Sequence, residues 1–246
     1  MTRSTPAAGA LTAAVIVTLG LLAGCGSESA ARSAPVPPAP APSTTSSTVA
    51  RRHPVPDPPA PAALFAAGLS VRAGPVPVPL QLLIPSIGVN AQVLGVGVTS
   101  GDVMDAPEGP RGDPVWEEAF WYRGSAIPGV VSTALIAGHI DGPRGSAGVF
   151  GKIDHLHAGD LIIVHDTRAG LDVRFAVTGS TSFTLDQTTE PSVLRQIYGA
   201  GPVAGTTPQR STDGLAHLTL ITCAGTFRNS IGTHDHRLAV FATRVA

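Results

Sequence analysis

The stretch LTLITCAGTF, residues 218–227, places Cys223 at the end of an apolar run rich in β-branched residues. Such a run, bounded by Gly and polar residues, is typical of a buried β-strand. Cys223 is one of two cysteines in the chain. It can be inert core packing, half of a disulfide, a metal ligand or a nucleophile, and the surrounding sequence narrows these four possibilities.

Short runs of the same kind recur throughout residues 80–246, separated by Gly, Asp and Pro. Their spacing predicts an all-β barrel or sandwich, with one short helix at EPSVLRQIYG, residues 190–199. This part of the chain is long enough to bury a hydrophobic core. Because aromatic residues are 4% of the chain, that core has to consist mainly of Val, Ile, Leu and Ala.

The first 25 residues have the layout of an export signal. Arg3 precedes an apolar segment, residues 7–22, and the sequence LAGC that ends at Cys25 resembles a bacterial lipobox. This pattern predicts a signal peptide over residues 1–24 and a lipid on Cys25, and an uncleaved signal anchor is the alternative. Both alternatives place the rest of the chain at the extracytoplasmic face of the cell membrane.

Residues 25–79 are dominated by Pro, Ala, Ser and Thr, as in APVPPAPAPSTTSS. They contain too few large apolar side chains to offset the entropy that is lost on ordering. Because proline-rich segments are extended and semi-rigid, we expect a disordered stalk that holds the folded domain away from the membrane. The formal net charge of −1 gives no electrostatic case for binding nucleic acid.

Cys223 has no suitable partner elsewhere in the sequence. A lipidated Cys25 is blocked, and a Cys25 inside a membrane anchor is out of reach, so an internal disulfide is excluded. No second cysteine stands at metal-ligand spacing, and no acidic cluster indicates a calcium site, so we expect no cofactor. Cys223 is therefore either a buried, inert side chain or a free, reactive thiol.

A reactive thiol needs a base or a cation beside it, and His139 is the best placed of eight histidines. It follows Gly138 at the end of the strand candidate STALIAGHI, where functional side chains often lie, although a structural histidine is the alternative. His217 is on the strand candidate that carries the thiol, about 20 Å away from it. His234 and His236, in the expected loop GTHDHR, could approach the cysteine.

Arg237 lies fourteen residues after Cys223, at the start of the strand candidate HRLAVFATRV. If the two runs are adjacent antiparallel strands, the end of the first faces the start of the second. The guanidinium would then lie beside the thiol and stabilise the oxyanion of an acyl-transfer reaction. An exposed, salt-bridged arginine is the alternative.

Together these segments resemble the sortases, which are exported cysteine transpeptidases of Gram-positive bacteria. The resemblance covers residues 80–246 and is greatest to the class F sortases of actinobacteria. The segments that carry it, in the order of the family, are IPSIGVNAQV, ALIAGHID, FGKIDHLHAGDLIIV, LTLITCAGTF and GTHDHRLAVFA.

The resemblance implies an eight-stranded β-barrel with short helices, and a thioester mechanism. Cys223 would attack a backbone carbonyl in an LPXTG-like sorting signal of a substrate protein. His139 would be the general acid and base, and Arg237 would position the substrate and stabilise the oxyanion. An amine, often from a peptidoglycan precursor, would accept the acyl group, and water would hydrolyse it instead. Residues 184–199 would border the peptide groove.

Two features depart from the family pattern. A transmembrane signal anchor is more usual there than a lipobox, and Ala224 follows the cysteine where close relatives often have Gly. Two other functions stay open. An L,D-transpeptidase of the cell wall also uses Cys, His and Arg, but it expects a Ser-x-Gly-Cys sequence that ITC does not fit. An inactive sortase-like lipoprotein would bind peptide or cell-wall material, and the retention of Cys223, His139 and Arg237 argues against it.

Overall fold

The structure, a computed structural model, describes residues 70–200 and 207–246. The expected signal peptide over residues 1–24, the lipid site at Cys25 and the stalk as far as residue 69 lie outside the described residues. In the two described ranges, no helix combines the length and the apolar character that a bilayer crossing requires.

Eight strands form in the described residues: β1 (Val76–Ile84), β2 (Val89–Val96), β3 (Ala119–Tyr122), β4 (Thr133–Gly138), β5 (Leu161–Asp166), β6 (Leu171–Thr184), β7 (His217–Arg228) and β8 (Thr233–Arg244). They close into a barrel in the order β1-β2-β3-β4-β7-β8-β6-β5, and β5 pairs back onto β1. The β2–β3 and β4–β7 pairs are parallel and the other pairs are antiparallel. The expected eight-stranded β-barrel is confirmed.

Short helical elements connect the strands, as expected. The helix α1 (Pro191–Tyr198) begins with a proline, whose fixed φ suits the first helical position. Val193 and Ile197 of α1 pack on the outer face of the barrel against Leu135 and Ala239. The 3₁₀ turns are Pro85–Ile87, Pro114–Glu117, Pro143–Gly145, Ile153–His155 and Gln187–Thr189.

Alternation along β7 separates the barrel interior from its outer face. Leu218 and Leu220 belong to the main core inside the barrel, whereas Ile221 packs into the outer cluster beneath α1. Because successive strand residues point to opposite faces, Cys223 shares the outer face with Ile221. The interior is mainly aliphatic, as the low aromatic content predicts.

The first strand begins earlier than the sequence indicates. β1 starts at Val76, four residues before the expected domain boundary at Leu80. Pro77 and Pro79 make this part of the chain resemble the proline-rich segment before it. Proline is tolerated in a strand at a bulge, and the β1–β2 register shifts between Pro77 and Gln81.

The hairpin formed by β7 and β8 is longer than expected. β7 continues past Cys223 to Arg228, and β8 begins at Thr233, four residues before Arg237. The expectation that the cysteine ends one strand and the arginine begins the next is therefore wrong. Both residues lie within the β7–β8 ladder, where they pair with each other, and Arg237 also pairs with Phe183 of β6.

The segment GTHDHR belongs to β8 and is not the loop that we expected. Its sequence lacks an apolar run, but the β7–β8 ladder continues across it with a register shift between Ala224 and Phe227. Gly225, at a φ of +77°, supplies the left-handed conformation that this bulge needs. His234 and His236 are consequently strand residues with fixed orientations.

Candidate active site

Three neighbouring strands bring Cys223, His139 and Arg237 together. Cys223 lies directly opposite Arg237 in the antiparallel β7–β8 ladder. In the parallel β4–β7 ladder Ala137 lies opposite Ile221, so His139 lies beside Cys223 two residues further on. The cysteine thus has the histidine on one flank and the arginine on the other.

All three side chains emerge on the outer face of the barrel. Leu135, Ile221 and Ala239 belong to the outer cluster, and each is two or four residues away from one of the three. Because side chains on one face of a strand recur every second residue, the three share that face. The site therefore opens to the outside of the barrel, where a peptide chain can reach it.

A buried hydrogen bond joins the two strands at the level of the site. The hydroxyl of Thr222, on the interior side of β7, donates to the carbonyl of Gly138 at 2.8 Å. These residues immediately precede Cys223 and His139 in the sequence, and His139 is the first residue after β4. The bond fixes the position of the cysteine backbone relative to the histidine backbone.

The His139 ring is held by contacts from the segment between β2 and β3 and from β3 itself. Its Nε2 lies 2.8 Å from the carbonyl oxygen of Pro107. Trp116 and Phe120 flank the ring, with centroid distances of 4.6 and 5.3 Å. Because a carbonyl only accepts hydrogen bonds, Nε2 carries the proton of the neutral ring. Nδ1 is then the basic nitrogen of His139.

Hydrogen bonds hold this segment together and link it to the chain that follows His139. The indole Nε1 of Trp116 donates to the carbonyl of Pro110 at 3.1 Å, and Val149 N donates to the carbonyl of Trp116 at 2.9 Å. Phe150 N donates to the carbonyl of His139, also at 2.9 Å. The histidine is therefore fixed at its backbone and at its ring.

Arg237 is anchored by neighbours on its own strand. Its Nη1 donates to the carbonyls of His234 and His236 at 3.0 and 2.9 Å. Its Nη2 donates to the hydroxyl of Thr233 at 3.2 Å. No carboxylate in the described ranges forms an ion pair with Arg237, which argues against the salt-bridge alternative. The Nε–H group and part of Nη2 remain available to a substrate oxygen.

Cys223 is half-buried and carries a free thiol. Its Sγ lies 4.0 Å from the hydroxyl oxygen of Thr233, the same hydroxyl that accepts from Arg237. Thr233 and Pro107 had no signal in the sequence. Pro107 acts through its backbone carbonyl, which any residue supplies, and Thr233 is an ordinary β-branched residue in a strand.

The other histidines have partners away from the thiol. His236 lies next to Arg237 in β8, so its side chain points to the opposite face, and its Nδ1 is 2.7 Å from Asp235 Oδ1. His234 lies 3.6 Å from Asp141 Oδ2 and stacks edge-on with Phe227. These contacts do not support the expectation that His234 or His236 approaches the cysteine.

Asp235 stabilises the hairpin beside the site. It accepts hydrogen bonds from the His236 ring, from the Thr226 backbone and from the Arg228 guanidinium. Together these contacts lower the pKa of Asp235 to about 2, and the His236 contact contributes most. The carboxylate therefore stays charged and links the bulge of β7 to β8.

A cavity of about 260 Å³ lies at the end of the barrel, beside the β1–β2 turn and the loop after β4. Its charged lining residues are Glu117 and Lys152, and Cys223 is not among those that line it. We place the chemistry at the thiol and not in this cavity, because the strand register brings His139 and Arg237 to the two flanks of Cys223. Among the described residues, no group of three His, Cys, Asp or Glu side chains could hold a metal ion.

Comparison with known proteins identifies the family. A family model for the sortase domain matches residues 82–245. No curated protein sequence gives a significant match. Sortase A from Corynebacterium diphtheriae, as a lid mutant, is 20% identical, with a TM-score of 0.46 over 71% of this chain and 73% of that chain. Sortase C-1 from Actinomyces oris is 19% identical, with a TM-score of 0.47 over 75% of this chain and 80% of that chain. Because the family model matches well over half of the 246 residues, the chain belongs to the sortase family.

Proposed function

We propose that this cysteine transpeptidase cleaves an LPXTG-like sorting signal and transfers the acyl part to an amine outside the cytoplasm. The observation that carries the proposal is the placement of Cys223 between His139 and Arg237 on three adjacent strands. That arrangement supplies a nucleophile, a proton carrier and a fixed cation on one open face.

In the acylation step, the Cys223 thiolate attacks the backbone carbonyl of the signal, and the carbonyl oxygen takes up the negative charge. The unused N–H donors of Arg237 stabilise that oxyanion. Protonated His139 gives its Nδ1 proton to the departing amine. Its Nε2–H remains hydrogen-bonded to the Pro107 carbonyl. The peptide bond breaks and a thioester forms on Cys223.

In the transfer step, an amine attacks the thioester carbonyl, and the neutral Nδ1 of His139 accepts the proton that the amine loses. The carbon–sulfur bond then breaks and Cys223 leaves as the thiolate. The starting charges are restored, and the product is a new amide. Water in place of the amine gives hydrolysis.

We assign the chain to the class F sortases on the resemblance of its cysteine, histidine and arginine segments. Its acceptor is an amine of a peptidoglycan precursor, and its substrate is a protein with a C-terminal sorting signal. A lipid on Cys25 or an uncleaved signal anchor holds the enzyme at the outer face of the membrane. The sequence LAGC supports the lipid, and detection of an acylated Cys25 peptide by mass spectrometry tests it.

The proposal is tested with the full chain in mild detergent and a library of quenched fluorescent LPXTG-like peptides, with and without added amines. Cleavage should depend on Cys223, and amines should yield ligated peptide. The control is Cys223→Ala, which keeps the small, half-buried character of the site. If no peptide is cleaved and Cys223 reacts with thiol probes no faster than a surface cysteine, the proposal fails and a peptide-binding lipoprotein replaces it.

A further inference from the structure

Thr233 contacts both of the groups that the proposed chemistry brings together on the β7–β8 hairpin. Its hydroxyl oxygen is 3.2 Å from Arg237 Nη2 and 4.0 Å from Cys223 Sγ. Thr233 is half-buried at the first position of β8, where it pairs with Arg228. One hydroxyl therefore lies between the guanidinium and the thiol.

The direction of the two contacts follows from their chemistry. A guanidinium has only donors, so Arg237 donates to the Thr233 oxygen. The hydroxyl hydrogen is then free to point toward Cys223, and a thiolate at that position can only accept it. A thiolate accepts far more strongly than a thiol, because hydrogen bonds to ionised groups are shorter and stronger. The contact at 4.0 Å is therefore expected to shorten when the sulfur ionises.

The other bonds of Arg237 make this arrangement rigid. Nη1 is held by the carbonyls of His234 and His236, which leaves Nη2 directed at Thr233. A guanidinium has a planar, fixed fork of donors, so fixing Nη1 also fixes the direction of Nη2. The hydroxyl consequently has a constant donor on one side and the reactive sulfur on the other.

We propose that Thr233 is a positioning residue that holds Arg237 beside Cys223 and donates a hydrogen bond to the thiolate. This role deepens the proposed function and rests on it, because it concerns the same nucleophile. A purely structural role is the competing explanation, since β-branched residues are favoured in strands whatever their hydroxyl does.

Substitutions separate these explanations. Thr233→Val keeps the shape and the strand preference and removes the hydroxyl, whereas Thr233→Ser keeps the hydroxyl and removes a methyl. Thr226→Val is the matched control, because Thr226 lies on the same hairpin and contacts Asp235 through its backbone N–H and not through its hydroxyl. If Thr233→Val fails to fold, Thr233→Ala takes its place beside Thr233→Ser.

The measurement is the pH dependence of iodoacetamide alkylation of Cys223 in the full chain, with Cys223→Ala reporting any reaction at Cys25. Thr233→Val should move the alkylation midpoint upward by about one pH unit, because the thiolate loses a hydrogen bond. Thr233→Ser and Thr226→Val should stay at the wild-type midpoint. With a cleavable peptide, Thr233→Val should lower kcat about tenfold and change KM little.

The proposal is overturned if Thr233→Val and the wild-type chain have the same alkylation profile, or if Thr233→Ser is as impaired as Thr233→Val. Alkylation needs no peptide, so this result stands apart from the test of the proposed function. A shifted profile in a chain that cleaves no peptide would reject the transpeptidase assignment and retain the positioning role.

Discussion

At the scale of single residues, the chemistry of Cys223 depends on which atoms of its two neighbours are already engaged. Pro107 occupies Nε2 of His139, and the His234 and His236 carbonyls occupy Nη1 of Arg237. These contacts leave Nδ1 of the histidine and part of the guanidinium for the proposed reaction. Two predictions follow from this division of atoms.

The first concerns the His139 tautomer. We expect the neutral ring to carry its proton on Nε2, because the Pro107 carbonyl only accepts. Two-dimensional proton–nitrogen NMR on histidine-labelled chain reads the tautomer directly, and His139→Ala assigns the signal. A neutral ring protonated on Nδ1 would contradict the proposed direction of proton transfer.

The second concerns Arg237→Lys, which keeps the charge and loses the fork of donors. Lysine cannot contact the two backbone carbonyls and Thr233 together, so kcat/KM for peptide cleavage should fall about 100- to 1,000-fold. Arg228→Lys is the matched control, because Arg228 is an exposed arginine of the same hairpin that pairs with Asp235. Equal losses in the two variants would mean that the hairpin, and not the guanidinium at the site, sets the rate.

At the scale of elements, the β7–β8 hairpin carries the site and is braced by its own bulge. Gly225 has a φ of +77°, and a Cβ there would collide with Asp235 Oδ1 and lie 2.6 Å from His236 Nδ1. The bulge thus brings the backbone close to the Asp235–His236 pair. A side chain at this position strains the backbone and displaces the pair.

Gly225→Ala should therefore destabilise the chain by more than the cost of a left-handed non-glycine residue, which is about 1–3 kcal/mol. Gly214→Ala isolates that cost, because Gly214 has a φ of +73° and a Cβ there meets nothing within 4 Å. Chemical denaturation of both variants gives the comparison. Similar losses would show that the bulge tolerates a methyl group next to the pair.

Asp235 gives the hairpin a pH dependence with a definite sign. Hydrogen bonds from His236, Thr226 and Arg228 lower its pKa from 3.8 to about 2 in the folded chain. The charged form thus stabilises the fold fully above 3.8, and this stabilisation is lost as the pH falls toward about 2. Unfolding free energies of the wild-type chain and of Asp235→Asn should converge across that window. A constant difference would contradict the assignment.

At the scale of the whole molecule, the barrel keeps its apolar core inside and presents the reactive residues outside. The strand order β4-β7-β8 is what places the histidine, the cysteine and the arginine side by side. These residues are 84 and 14 positions apart in the sequence. Only the closed sheet brings them to one face.

The sequence predicted the parts of the fold that depend on local pattern. Apolar, β-branched runs located most of the strands but not β3, whose four residues AFWY include none that is β-branched, and EPSVLRQIYG located α1. The start of β1 was missed because Pro77 and Pro79 look like linker and are accommodated at a register shift. The length of the hairpin was missed because ladder hydrogen bonds, and not apolar side chains, continue it past Cys223.

The site was predictable only in part. Cys223, His139 and Arg237 have side chains whose chemistry is evident from their type, so the sequence alone offered all three as candidates. Pro107 and Thr233 act through a backbone carbonyl and a common hydroxyl, and their contacts depend on where distant segments cross. Neither had a pattern that sequence reasoning could detect.

The most direct test of Cys223 as the nucleophile is mass spectrometry of the full chain mixed with a cleavable LPXTG-like peptide in the absence of amine. We expect an acyl adduct, joined as a thioester, on the proteolytic fragment that contains Cys223. It should disappear when an amine is added and should be absent from Cys223→Ala. Peptide cleavage that persists in Cys223→Ala, or an adduct on any other residue, would contradict the assignment of Cys223 as the nucleophile.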